Sequence, residues 1–378
     1  MAQNHYDVIV VGVGGMGSAA THHLARRGQR VLGLERYDIP HVMGSSHGIN
    51  RIIRMAYFED PSYVPLLRRS YELWRDLEKS AGERLLVVTG GIDSAPERHQ
   101  VFQGSLESCR LHGLAHEVLS GPEVNRRFPG YQMPADHMAV YQPEGGYVMS
   151  ERAIVAHVGG AIAAGAEVHG REAVEGWTVL DDLVAVRTER DEYTADRLVV
   201  TAGAWNMGLL DVLDDLAIPE RQALAWFQPL EPGKYQPETF PIFNIEVDEG
   251  HFYGFPVETV PGFKIGLYHH LFENVDPETM DREPTAADEA VLRAATERYF
   301  PSAAGATLSL KTCLFTNSPD EHFIVDRHPA YEQVVFAAGF SGHGYKFASV
   351  MGEILAGLSV DGSTKHDIGL LRLGRFAE

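Results

Sequence analysis

The chain has 378 residues, 44% hydrophobic and 10% aromatic, which suits two interleaved domains with a sizeable core and excludes a disordered or low-complexity protein. Its 52 acidic and 32 basic residues leave a formal net charge of −20, a field that repels nucleic acid and anionic membranes. Two cysteines, Cys109 and Cys313, are too few for a disulfide scaffold and too distant in sequence for a zinc motif, so no metal is expected.

The start of the chain is polar, without a basic region, and the apolar run 8–11 is too short for a signal core or a membrane span. A cytoplasmic protein is expected, a monomer or a weak homo-oligomer. The first elements read as strand, helix, strand: 8–11, an amphipathic stretch to Arg27, then 31–34. Between the first two stands Gly12-x-Gly14-x-x-Gly17. Its first glycine permits a tight turn, its second lets backbone approach a pyrophosphate, and its third lets helix pack on strand. Glu35 closes the second strand at the offset where an acid accepts ribose hydroxyls. Together they form a dinucleotide clamp.

A loop with two arginines, Arg51 and Arg54, follows at 44–54; its Gly and Ser content gives no helical face, and arginine suits a two-pronged grip on a carboxylate. A helix is expected over 63–77, with Leu66, Leu67, Trp74 and Leu77 inward. The pattern loosens over 85–140. A helix is then expected at 153–164, and strands at 167–169 and 197–201. Alternating aromatic and β-branched runs over 219–315 point to an antiparallel sheet, interrupted by one helix at 286–300 between Pro284 and Pro301. The chain ends as strand 334–338, a glycine-rich turn through Gly342 and Gly344, and a helix over 346–358 with a continuous apolar face. A second glycine-rich strand–helix junction is surplus to a nicotinamide enzyme, whereas its helix N-terminus suits negative charge on a reduced flavin. The cofactor expected is therefore FAD. The fold class is α/β (α+β): a Rossmann-like FAD-binding domain, discontinuous over 1–85, 141–218 and 316–378, with an interleaved, largely antiparallel substrate domain over 86–140 and 219–315.

The motifs YDVIVVGVGGMGSAA, GSSHGINRIIRMAY, LVVTAGAW, YGFP, KTCLFT, DEHFIVD and AAGFSGHGYKF occur in this order over 6–347, within a similarity that extends from 6 to about 367. In that order they resemble the monomeric sarcosine oxidase and N-methyltryptophan oxidase family, within the D-amino-acid-oxidase-like FAD enzymes. The resemblance implies that Cys313 carries FAD through a thioether, while Cys109 is packing. It implies that Arg54 and Lys346 bind the substrate carboxylate, that His47 and Arg51 lie close to the flavin, and that Tyr253 is an active-site tyrosine. Lys264 matches the lysine that assists reaction of reduced flavin with oxygen. Flavin contacts extend by the same resemblance to Gly15, Met16, Arg36, Ser45, Arg51, Val174, Gly203, Trp205, Gly344 and Lys346.

This sequence departs from the pattern in three places. A family histidine that contacts the substrate amine follows the lysine at a short interval; here the run 264–270 is one residue longer. His269 matches with an insertion, Tyr268 without one, and His270 lies beside both. Phe315 stands where sarcosine oxidase has a tyrosine, and Asn244 replaces an apolar pocket residue. The implied activity is FAD-dependent oxidation of an N-methyl amino acid with oxygen, giving aldehyde, free amino acid and hydrogen peroxide. A flavin oxidase or dehydrogenase of a larger or cyclic amine, such as pipecolate or a glycated amino acid, is the alternative.

Overall fold

The computed structural model describes residues 4–258 and 262–377. His5–Val11 lies parallel between Val31–Leu34 and Glu192–Val200; Glu167–His169 extends the sheet on one side and Val334–Ala338 on the other. Three antiparallel strands, Val174–Leu180, Leu183–Thr188 and Ile324–Arg327, complete eight. The central strands are apolar where both faces are covered, at 8–11, 31–34 and 198–200. Val8, Ile9, Val10, Leu198 and Val199 are essentially inaccessible, each contributing about 1.5–3 kcal/mol of burial. Helix Gly15–Arg26 packs against Ser150–Ala163 and Ala348–Asp361 on one face.

A second sheet of nine strands runs Glu273–Asn274, Ile218–Phe227, Phe263–Leu267, Gly250–Phe255, Ile242–Val247, Gly91–Pro96, His137–Gln142, Glu117–Ser120, with Thr307–Asn317 along the far edge of Ile218–Phe227. Its pairings are antiparallel except that Gly91–Pro96 runs parallel to Ile242–Val247. Phe227, Phe240, Phe243, Phe263, Phe300, Tyr131 and Tyr235 fill one side as a block of interleaved rings. A three-stranded sheet of Asn50–Ile53, Gly146–Met149 and Leu86–Val88 stands beside them.

The loosely patterned stretch 85–140 resolves into strands Leu86–Val88, Gly91–Pro96, Glu117–Ser120 and His137–Gln142, with helices Gln100–His112 and Gly121–Arg127. The expected helix over 63–77 is Val64–Ala81, stopped at Gly82 in the left-handed conformation. The last helix begins later than its apolar face suggested: Tyr345–Phe347 is a 3₁₀ turn and the α-helix spans Ala348–Asp361. No described helix is long and apolar enough to cross a membrane.

Candidate active site

The C-terminal ends of four parallel strands converge, and each delivers one wall of a cleft. Gly12–Gly17 leaves the first strand, Glu35 the second, Thr201–Gly203 follows Val200, and Gly339–Tyr345 follows Ala338. The resulting cavity, about 450 Å³, is lined by Gly12, Gly14, Gly15, Met16, Glu35, Arg36, Ser45, Arg51, Val174, Gly203, Trp205, Gly342 and Gly344. Gly17, Cys313 and Lys346 stand outside that lining. Gly12 has φ +86°, and a Cβ there would lie 2.6 Å from Thr201 O. A Cβ on Gly17 would fall 1.7 Å from Gly12 O, so its part is to let helix meet strand. Glu35, buried, accepts from Val13 N at 2.9 Å and Tyr37 N at 3.0 Å, which fixes its carboxylate at the cavity wall. The helix beginning at Gly15 has no acid in its first turn, and Trp205 Nε1 is a buried donor without a partner among the described residues. A backbone cradle, an unshielded helix N-terminus and a fixed carboxylate fit a dinucleotide with an anionic pyrophosphate.

At the other end of the cleft lies a cluster of cations. Arg51 donates to Ser45 O at 2.7 Å and approaches Cys313 Sγ at 3.5 Å. Cys313 is buried against Leu224 and Trp226, with Tyr253 and Ile49 alongside. Lys264, 2% exposed, donates to Gly48 O, Asn50 O and Asn50 Oδ1 at 2.8–2.9 Å, using all three of its protons. Burial, with Arg51 next, draws its pKa well below the usual lysine range. His47 is buried with both ring nitrogens unpartnered among the described residues; burial and then Arg51 hold its pKa down at about 3, so it is neutral.

Arg54 and Lys346 flank the ring of Tyr57, at 4.5 Å and 5.2 Å from its centroid. Arg54 gives Nη1 to Ala56 O and Nη2 to both oxygens of Glu59, each at 2.7 Å. Its Nε is buried with no hydrogen-bond partner among the described residues; the nearest acid, Asp93, is 3.9 Å away. Asn244 is turned to Asp93 at 2.8 Å. Lys346 donates to His343 O at 2.6 Å, and Ser70 Oγ and Trp74 Nε1 donate to its carbonyl from helix Val64–Ala81. Burial, then Arg54, brings the Lys346 pKa down to about 7. Aromatic rings pack beside these two cations. Tyr268 stacks on His251 at 4.9 Å and meets Phe315 at 5.3 Å and Tyr253 at 5.6 Å. His269 points elsewhere, to Glu220 at 2.8 Å and Glu321 at 2.9 Å, and His270 is buried on Asp288.

Comparison with known proteins matches residues 7–358 to the family described as DAO, FAD dependent oxidoreductase. The chain belongs to the FAD-dependent oxidoreductases of this family. The enzyme is 42% identical over 99% of its length to monomeric sarcosine oxidase from Bacillus sp. (strain NS-129), covering 97% of that protein. It is 43% identical to monomeric sarcosine oxidase from Streptomyces avermitilis, covering 98% of both chains. It is 33% identical to N-methyl-L-tryptophan oxidase from Yersinia pestis, covering 98% of this chain and 99% of that one. Among solved structures, NikD, an unusual amino acid oxidase essential for nikkomycin biosynthesis, superposes with a TM-score of 0.85 at 26% identity, covering 98% of each chain.

Several residues of the FAD oxidoreductase's site carried no sequence motif. Glu59 follows Arg54 by five positions in irregular chain, where spacing says nothing of contact. Asp93 is the more legible: it interrupts the apolar run of Gly91–Pro96, and a lone carboxylate in a buried strand demands a partner. It has Asn244, Ser105 at 2.9 Å and Gln142 at 3.2 Å. Gln142 in turn fixes Met55 N and Ala56 N, the backbone that aims Arg54. Glu151, at the start of its helix, accepts from Gly48 N and Ile49 N and so shapes the loop bearing His47 and Arg51.

Proposed function

We propose that this oxidoreductase is an oxidase of secondary amines, which converts an N-methyl amino acid, water and oxygen into free amino acid, aldehyde and hydrogen peroxide. The observation that carries it is the pair of buried cations on Tyr57, one of them with an unpartnered Nε–H. A buried guanidinium donor is costly to leave unmade, and a carboxylate is the ligand that satisfies it while balancing the charge of Lys346. The similarity to monomeric sarcosine oxidases and N-methyl-L-tryptophan oxidase supports the same substrate class. FAD, when bound in the cleft, supplies the two-electron oxidation and delivers the electrons to oxygen.

The protein's own contribution is placement and charge. Arg54 and Lys346 hold the carboxylate, and the rings of Tyr253, Tyr268 and Phe315 confine the amine end. Burial beside two cations disfavours an ammonium, so the amine is held as the free base. Lys264, held by Gly48 O, Asn50 O and Asn50 Oδ1, is our candidate for assisting the oxygen reaction. Cys313, beside Arg51 and Ser45, is our candidate for covalent attachment of the flavin. Acid precipitation of the yellow protein should carry flavin into the pellet, and Cys313→Ser should release it to the supernatant.

The decisive experiment is peroxide release in air across a panel of N-methyl amino acids, each with its decarboxylated amine as control. The N-methyl amino acids should turn over and the amines should not. Arg54→Lys keeps the charge but loses the fork, and should raise KM about ten- to hundredfold, the worth of one charged hydrogen-bond pair. Equal turnover of the decarboxylated amines would overturn the reading.

A further inference from the structure

The turn after strand Phe263–Leu267 is strained. His269, Leu271 and Phe272 all have positive φ, at 51°, 55° and 53°, three side-chain-bearing residues in the left-handed region within four positions. Such conformations are uncommon outside glycine and persist only where surroundings over-determine them. The effect is to send neighbouring side chains opposite ways. Tyr268 goes inward onto His251, Tyr253 and Phe315, while His269 goes outward to the rim.

At the rim His269 joins two other elements. Its Nδ1 meets Glu220, on strand Ile218–Phe227 directly opposite Phe315 in the register, and its Nε2 meets Glu321, on the turn before Ile324–Arg327. Glu321 is also linked to the ring that Arg54 and Lys346 approach, since its carbonyl pairs with His343 Nε2 at 2.9 Å and His343 Nδ1 pairs with Tyr57. The groups facing His269 are therefore Glu220 and Glu321, with the rings of Tyr268 and Phe272 on its own turn. Among the described residues no cation is bonded to either glutamate besides His269 itself; Glu220 has only Asn317 in addition.

We infer that His269 is a positioning residue, a cationic latch that ties the strained turn to Glu220 and Glu321 and so holds Tyr268 over the bound amine. The inference rests on the proposed binding of the substrate between Arg54 and Tyr253. The latch is closed while His269 carries its proton. Hydrogen bonds to both glutamates raise its pKa to about 9, so it is charged at neutral pH and loses its hold as pH rises through that value.

The test uses the FAD-loaded enzyme. In the wild type kcat/KM for an N-methyl amino acid should decline above about pH 9. His269→Gln, which cannot be a cation, should lower kcat/KM about tenfold at pH 7.5 and abolish that decline. His269→Arg should restore activity and move the decline upward. Glu321→Gln, on an exposed turn, should give a partial loss if His269→Gln folds poorly. Hydrogen–deuterium exchange of a peptide covering 268–275 should be faster in His269→Gln at pH 7.5 than in the wild type, a readout independent of turnover. Unchanged exchange and an unchanged alkaline limb in both variants would overturn the latch. So would a uniform loss of activity across pH with the limb intact. Faster exchange with wild-type kinetics would overturn instead the placement of the substrate beside Tyr268.

Discussion

Lys346 sits where burial and Arg54 both oppose its charge, and its pKa of about 7 leaves it largely neutral at pH 8. A ligand carboxylate held between the two cations stabilises the ammonium, so binding must draw a proton onto the lysine. Calorimetric titration with acetate at pH 8, in buffers of different ionisation enthalpy, should report uptake approaching one proton per site. Lys346→Met should abolish the uptake and weaken binding. Undiminished uptake in that variant would transfer the proton to Asp93, whose carboxyl burial holds above its usual range. Glu59, held at about 2 despite burial by Arg54 and then His343 and Lys346, remains a carboxylate throughout and takes no part in the uptake.

The strand–turn–helix at the start of the chain was legible because each of its parts is a local requirement. Gly12 needs its left-handed φ, Gly17 needs the missing Cβ, and Glu35 needs only to end the next strand. Gly17→Ala should therefore cost about 1–3 kcal/mol by overpacking and shed FAD, read as a lower melting temperature and a loss of yellow colour. A yellow variant with an unchanged melting temperature would contradict the packing role. The turn at 268–272 shows the opposite case. Which of Tyr268, His269 and His270 faces inward depends on three backbone angles that no propensity favours, and on Glu220, Glu321 and Asp288, which lie about twenty to fifty residues away in sequence. The same holds for Asp93 and Gln142: the loosened pattern over 85–140 placed neither of their strands, and only tertiary pairing of Gly91–Pro96 with Ile242–Val247 brings Asn244 onto the carboxylate. Periodicity reports which face is buried, and the polar groups that face each other inside it are set by register.

Across the whole molecule, acid should be the weak side of the stability curve. Burial holds His22, His23, His251 and His343 at about 4 and His47 at about 3, against about 6.5 when exposed. Below pH 6.5 the unfolded chain takes up protons that the folded chain refuses. Each such histidine then removes about 1.4 kcal/mol of stability per pH unit until its own folded pKa is reached. Glu59 and Glu353, both held at about 2, add to the loss below pH 4.5. His269 works the other way: raised to about 9, it contributes fully below pH 6.5 and its contribution is lost as pH rises toward 9. Stability should therefore fall steeply on the acid side of pH 6.5. His22 is a clean probe, because it lies in a ring chain with His157 and Trp74, packed between helices Gly15–Arg26 and Ser150–Ala163 and away from the cleft. His22→Gln should make the acid limb of denaturant-measured stability shallower by about 1.4 kcal/mol per pH unit between pH 6 and 5 while leaving kcat and KM at pH 8 unchanged. An unaltered slope would mean that this buried ring takes its proton in the folded state as readily as in the unfolded one.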